Sequence, residues 1–132
     1  MDYDIEFTES GPFDVVVTTS GKATAAEMAA GRRRVLDDPR FRPGMSLLVD
    51  HSLLDNSDIT RAEVQRAAET LGRDRDTSGL GSIAMVAQTS LNFGLARMFE
   101  TFAGEELEDA VTVVRSREEA EAWLESMHAA PQ

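Results

Sequence analysis

Pro43-Gly44-Met45-Ser46-Leu47-Leu48-Val49-Asp50 decides how the rest of the chain is read. Met45 to Val49 form a short apolar run, bounded by a Pro-Gly turn signal and an acid. That is the look of a strand covered on both faces, and such strands belong to parallel sheets flanked by helices. A parallel neighbour needs a crossover, and the next residues supply one. Thr60 and Glu63 form a capping box, Ile59 and Val64 are placed as a hydrophobic staple, and Val64, Ala67, Ala68 and Leu71 make an apolar stripe before Gly72. Ser82-Ile83-Ala84-Met85-Val86-Ala87 is then a second buried-strand run.

The same alternation extends in both directions. Upstream, Ile5-Glu6-Phe7 alternates, and after Gly11-Pro12 the β-branched run Phe13 to Thr19 reads as the second strand of a hairpin, ended by Gly21. Thr24 and Glu27 form a capping box that opens a helix over about 25–37, stopped by Asp38-Pro39. Downstream, Leu91, Leu95, Met98, Phe99 and Phe102 recur at helical spacing until Gly104. Ala110 to Val114 read as the last strand, and Ser116 with Glu119 caps a final helix that buries Ala120, Trp123, Leu124 and Met127. The order β-β-α-β-α-β-α-β-α predicts an α/β fold. Its sheet of about five strands is mostly parallel with right-handed crossovers, and the opening hairpin makes one strand antiparallel.

One domain is expected over 1–132, with its core at about 3–127 and a tail at 128–132. There is no cysteine, which excludes a disulfide framework, thiolate zinc and a cysteine nucleophile together. The formal net charge is -11, and residues 100–125 hold nine acids against Arg115 and Arg117. A phosphate backbone would be repelled there. The only basic cluster, Arg32, Arg33, Arg34, Arg40 and Arg42, has Phe41 as its sole aromatic, so nucleic acid is not expected as a partner. The first residues are acidic where a signal peptide is basic, and no apolar run approaches the ~18 residues of a membrane span. A cytoplasmic protein without an integral membrane segment is the expectation.

Leu47-Leu48-Val49-Asp50, the loop Asp55 to Thr60, Ile83 to Val86, Phe93-Gly94-Leu95-Ala96-Arg97-Met98-Phe99-Glu100 and Glu118 to Leu124 together resemble the SpoIIAA-like (STAS-like) family of bacterial proteins. The resemblance covers about residues 12–125 and implies a STAS-type fold. It also implies a regulatory role through protein contacts, with a serine phosphorylated at the start of the helix after the third strand. The matching place is Asp55-Asn56-Ser57-Asp58, where Asn56 precedes the serine and Asp58 replaces a small residue. A phosphate on Ser57 would lie close to Asp55 and Asp58, a like-charge cost that the following helix N-terminus only partly offsets. Likeness of the superfamily to Sec14-type folds implies a second role, as a carrier of an apolar ligand.

The residues themselves offer few chemical constellations. Asp50, His51 and Ser52 are consecutive at the carboxyl end of a strand, yet neighbours on an extended chain point to opposite faces and do not form a catalytic series. His128 stands alone near the end of the last helix, and Glu105, Glu106, Glu108 and Asp109 lack the alternating ligands and glycine of a calcium loop. Gly79-Leu80-Gly81 precedes a strand, so it does not cradle a phosphate. Gln88-Thr89-Ser90-Leu91-Asn92 opens a helix, where the hydroxyls serve as caps or, beside Arg97, hold a small anion. Phe93, Met98, Phe99 and Phe102 read as core or as the lining of an apolar pocket.

The expected function is a non-enzymatic binding or regulatory module acting through the Asp50-to-Thr60 loop and the second helix, with Ser57, Asp55 and Asp58 as its contact or phosphorylation site. The alternative is a carrier of a small apolar or anionic ligand in a pocket at the carboxyl ends of the strands, near Thr89, Asn92, Phe93 and Arg97. A hydrolase using His51 and Ser52 ranks third. No catalytic residue, cofactor or metal is assigned. A protein partner is expected, and a homodimer is compatible with the exposed helices though nothing in the residues requires one.

Overall fold

The computed structural model describes residues 1–9, 11–79, 81–104 and 110–129, exclusive of the side chains of 74–78 and 128–129. Along the chain run β1 (Asp2–Phe7), β2 (Val15–Lys22), α1 (Ala25–Leu36), β3 (Leu47–Asp55), α2 (Arg61–Ser78), β4 (Ile83–Val86), α3 (Ser90–Ala103), β5 (Val111–Val114) and α4 (Arg117–Ala129). The sheet has the order β1-β2-β3-β4-β5, with β1 antiparallel to β2 and every other pair parallel. This is the mostly parallel α/β arrangement that the alternation of elements implies.

The strand order never reverses, and this determines where the helices go. Each right-handed crossover steps in the same direction and lays its helix on the same face of the sheet. α1, α2 and α3 therefore share one face, where Val35, Leu71 and Ala96 join Val17, Leu47, Ile83 and Met85 in one core cluster. α4 follows the last strand and packs on β4 and β5 from the other face. Its Ala120 and Leu124 bury against Leu48, Ala84 and Val86. β4 is consequently buried at all of its positions. β1 is covered on one face only, so Tyr3, Ile5 and Phe7 pack inward while Asp2, Asp4 and Glu6 are exposed.

Local signals place the helix starts. The Thr24, Thr60 and Ser116 hydroxyls accept from the amides of Glu27, Glu63 and Glu119, each at 3.2 Å. Three elements differ in their bounds from the sequence reading, the first being β2, which starts at Val15 and runs through Gly21 to Lys22. β3 continues to Asp55 because Ser20, Gly21 and Lys22 of β2 still offer it a ladder partner. α2 passes Gly72 and stops at Gly79, whose φ of +74° is the left-handed conformation that ends helices.

The turns that precede β3 and β4 lie against each other, backbone on backbone. Gly44 N donates to Gly79 O at 2.6 Å and Gly81 N to Met45 O at 3.1 Å. A Cβ at Gly81 would stand 2.5 Å from Gly44 O and 2.8 Å from Met45 O, both of them backbone atoms. Gly81→Ala should therefore lower stability by about 1–3 kcal/mol in urea titrations. Gly94→Ala, in the interior of α3 with open space around it, should raise stability by ~0.5–1 kcal/mol through helix propensity. Equal stability of the Gly81→Ala variant and the parent would contradict the close approach.

Candidate functional site

The chemistry-bearing residues gather where β2 and β3 lose register. Thr18 pairs with Asp50 and Ser20 with Leu53, so Thr19 is opposed by two residues, His51 and Ser52. Such a bulge re-aims the side chains that follow it. Its effect shows at Leu53 and Leu54. Leu53 is 70% exposed whereas Leu54 is 5% exposed.

Asp50 and His51 diverge. Asp50 Oδ1 accepts from the Ser52 amide at 2.9 Å and the Ser52 hydroxyl at 2.5 Å, and Asp50 Oδ2 accepts from Arg117 Nε at 2.9 Å. Burial pushes the Asp50 carboxyl up, but those donors and the Arg117 charge together hold it below the ordinary carboxylate range. Asp50 thus ties β3 to the first residue of α4. His51 lines a cavity among residues of the three-helix face, and its Nδ1 lies 2.7 Å from the Thr19 hydroxyl. Asp50, His51 and Ser52 form no hydrogen-bonded series, for the reason that their adjacency on a strand implies.

The cavity lies between the sheet and α1, α2 and α3, and its volume is about 420 Å³. Its walls are mainly apolar, with Val17, Val49, Val64, Leu71, Met85 and Phe99 among them. α2 packs closely on α3 but only lightly on α1. The α1 side of the cavity combines small residues, Ala25, Ala26, Ala29 and Gly31, with the larger Met28, Arg32 and Val35. Where β2 and β3 approach their carboxyl ends the lining turns polar, with Thr19, His51, Asn56 and Asn92. His51 is half-buried by area because it lines the cavity, and burial pushes its imidazole down to about 4 against a weaker upward pull from Asp50.

Two buried amides complete the polar end. Asn92 Nδ2 donates to the carbonyls of His51 at 3.2 Å and Leu54 at 2.8 Å. That assignment turns Asn92 Oδ1 toward Asn56, whose Nδ2 donates to it at 3.1 Å. Asn56 Oδ1 is then left buried with no hydrogen-bond partner. An enclosed acceptor without a donor costs on the order of 1–3 kcal/mol.

Of Thr89, Asn92, Phe93 and Arg97, proposed from the sequence for a ligand, only Asn92 lines the cavity, and of the stripe Phe93, Met98, Phe99 and Phe102 only Phe99 does. Thr89 caps α3 by accepting from the Asn92 amide at 3.1 Å. Phe93 packs against the core and lies under the Arg115 guanidinium, 4.1 Å from its ring centre, and Arg97 pairs with Glu100 at 3.3 Å. On the loop after β3, Ser57 is exposed and its amide donates to Asp55 Oδ1 at 2.9 Å, while Asp58 pairs with Lys22 at 3.1 Å. Ser57 precedes the Thr60 cap of α2 by three residues. His128 lies in α4 with its side chain outside the described residues, and Glu105, Glu106, Glu108 and Asp109 also lie outside them. Among the described residues no three His, Asp or Glu side chains converge as a metal site. Nor is any described helix long and apolar enough to cross a membrane.

Sequence reasoning did not single out Thr19 or Asn56 as cavity residues. Thr19 is indistinguishable from an ordinary strand former in a β-branched run. Asn56 carried a faint signal, as an amide directly after a strand where the resemblance expects a different residue.

No protein-family model and no curated protein matches this chain. Among solved structures it is similar to an uncharacterized protein of the DUF3478 family, with a SpoIIAA-like fold, from Shewanella loihica PV-4. The two share 18% identity with a TM-score of 0.55, over 93% of this chain and 92% of the other. The chain therefore has a SpoIIAA-like α/β fold, and at that identity the likeness speaks to fold alone.

The buried imidazole has a measurable consequence. His51 titrates near 6.5 in an unfolded chain and about 4 in the folded one. The unfolded state binds more protons across that interval, so stability is full above about pH 6.5 and falls as pH drops toward 4. Between about pH 7 and pH 4 the parent should lose on the order of 2–3 kcal/mol more than His51→Gln in chemical denaturation. Asp50 acts in the same direction at lower pH and is common to both proteins. Identical pH profiles would show that His51 is not held neutral by burial.

Proposed function

We propose that this protein is a non-enzymatic binding module that holds one small, largely apolar molecule between its sheet and the α1–α2 face. The observation that carries this reading is the cavity of about 420 Å³ with apolar walls and a polar end. Small-molecule sites commonly occupy ~300–1,000 Å³ and combine apolar walls with a few placed polar groups. A small apolar molecule seated there makes dispersion contacts with the sheet and with the helices that flank it.

We rank this above a partner-controlled switch at Ser57. Asp55 and Asp58 stand beside that serine and would repel a phosphate there, and the neighbouring cation, Lys22, is already paired with Asp58. A role in protein contacts through the exposed loop after β3 is compatible with ligand binding, since the loop begins with Asn56, which lines the cavity.

Titration with the uncharged fluorescent hydrocarbon pyrene tests the reading. One saturable site is expected, and Ala67→Trp, which projects an indole into the cavity from α2, should weaken binding by about tenfold or more with unchanged far-ultraviolet circular dichroism. Binding that never saturates, or that ignores the Ala67→Trp change, would overturn the proposal.

A further inference from the structure

The polar end of the cavity also constrains what the ligand carries there. The Thr19 hydroxyl lies 3.2 Å from the Asp50 carbonyl oxygen and 2.7 Å from His51 Nδ1, and it has one proton to give. If it donates to the carbonyl and accepts from Nδ1–H, both contacts are hydrogen bonds. If it donates to Nδ1 instead, the approach to the carbonyl has no proton in it. The first arrangement uses every group, so the imidazole proton sits on Nδ1 and Nε2 keeps a lone pair. Among the described residues Nε2 has no protein partner, and His51 lines the cavity.

Asn56 adds a second acceptor to the same region. Its Nδ2 is committed to Asn92, because both hydrogens of the Asn92 amide are taken by main-chain carbonyls. Its Oδ1 is buried and unpaired, so among the described residues no spare donor reaches it at this end of the cavity. A neutral imidazole with its lone pair free repels a carboxylate oxygen and has nothing to offer an aldehyde, ketone or ester. It accepts from an O–H.

We infer that His51 Nε2, held in its acceptor tautomer by Thr19, receives a hydrogen bond from the hydroxyl of a neutral, otherwise apolar alcohol or phenol seated in the cavity. This inference rests on the cavity-binding reading and names the ligand class for it. The competing chemistry is an apolar acid whose carboxylate reaches Arg32 or Arg66, which also line the cavity.

Three matched probes separate these cases: pyrene, pyrenemethanol and pyrene carboxylate, each titrated by fluorescence into the parent and into His51→Phe. Burying an unpaired hydroxyl costs on the order of 1–3 kcal/mol, so without an acceptor the alcohol binds about ten to a hundred times more weakly than the hydrocarbon. The inference expects the alcohol to bind at least as tightly as pyrene in the parent, and the carboxylate more weakly than either. In His51→Phe the alcohol-to-pyrene affinity ratio should fall by about tenfold while pyrene itself is retained. Should that variant not fold, two-bond proton–nitrogen correlation spectra of the parent give a direct readout: Nδ1 protonated, Nε2 bare, and the Nε2 resonance moving upfield on addition of the alcohol. An alcohol weaker than pyrene in the parent, a carboxylate that binds tightest, or an Nε2–H tautomer each overturns the inference and leaves cavity binding standing. Failure of all three probes to bind would remove the cavity reading itself.

Discussion

The handedness of the crossover is the constraint on which the rest of this structure depends. With strands added in the order β1-β2-β3-β4-β5, a right-handed connection has only one face on which to lay its helix. Three helices then share the face of a five-stranded sheet, and α4 serves the other side near β4 and β5. Because the order never reverses, the sheet has no topological switch point, the place where open α/β sheets usually bind ligands. The space appears elsewhere. α3 seats on the sheet and on α2, while α1 packs only lightly on α2, and the cavity lies between these helices and the sheet.

Within that frame, strand alternation and one extra residue shape the candidate site. Alternation from Leu48 and Val49 sends Asp50 toward Arg117 and His51 toward the cavity, and the bulge opposite Thr19 then exchanges the exposed and buried roles of Leu53 and Leu54. The first consequence is a structural tie for α4. The second is a neutral imidazole at the end of an apolar chamber. A parallel pair without the bulge would have left Leu53 facing inward and the Leu54 carbonyl, which Asn92 now holds, in a different place.

Much of the scaffold was legible because its causes are local. Thr24, Thr60 and Ser116 cap helices through contacts three residues away, so their role needs no knowledge of the rest of the chain. The run Leu47 to Val49 and the run Ile83 to Val86 announce burial on both faces by lacking alternation. Misreadings arose where a distant partner decides. Gly72 resembles a helix stop, but α2 needs a residue in the left-handed conformation, and that is Gly79. β3 resembles a short strand until the carboxyl end of β2 is laid beside it.

The candidate site divides along the same line. By itself the sequence determined the α/β class, the element order, the helix starts and the futility of Asp50, His51 and Ser52 as a hydrogen-bonded series, since periodicity, capping and strand alternation all act within a few residues. Only the tertiary structure decided that Asn92 belongs to a cavity while Thr89 caps its helix and Arg97 pairs with Glu100 at the surface. It also decided that Thr19, His51 and Asn56 meet there. These residues come from β2, β3 and the loop after it, and Asn92 from α3; what joins them is the pairing of β2 with β3 and the light packing of α1 on α2. Both are sums over contacts distant in the chain, and no local pattern of residue types encodes them.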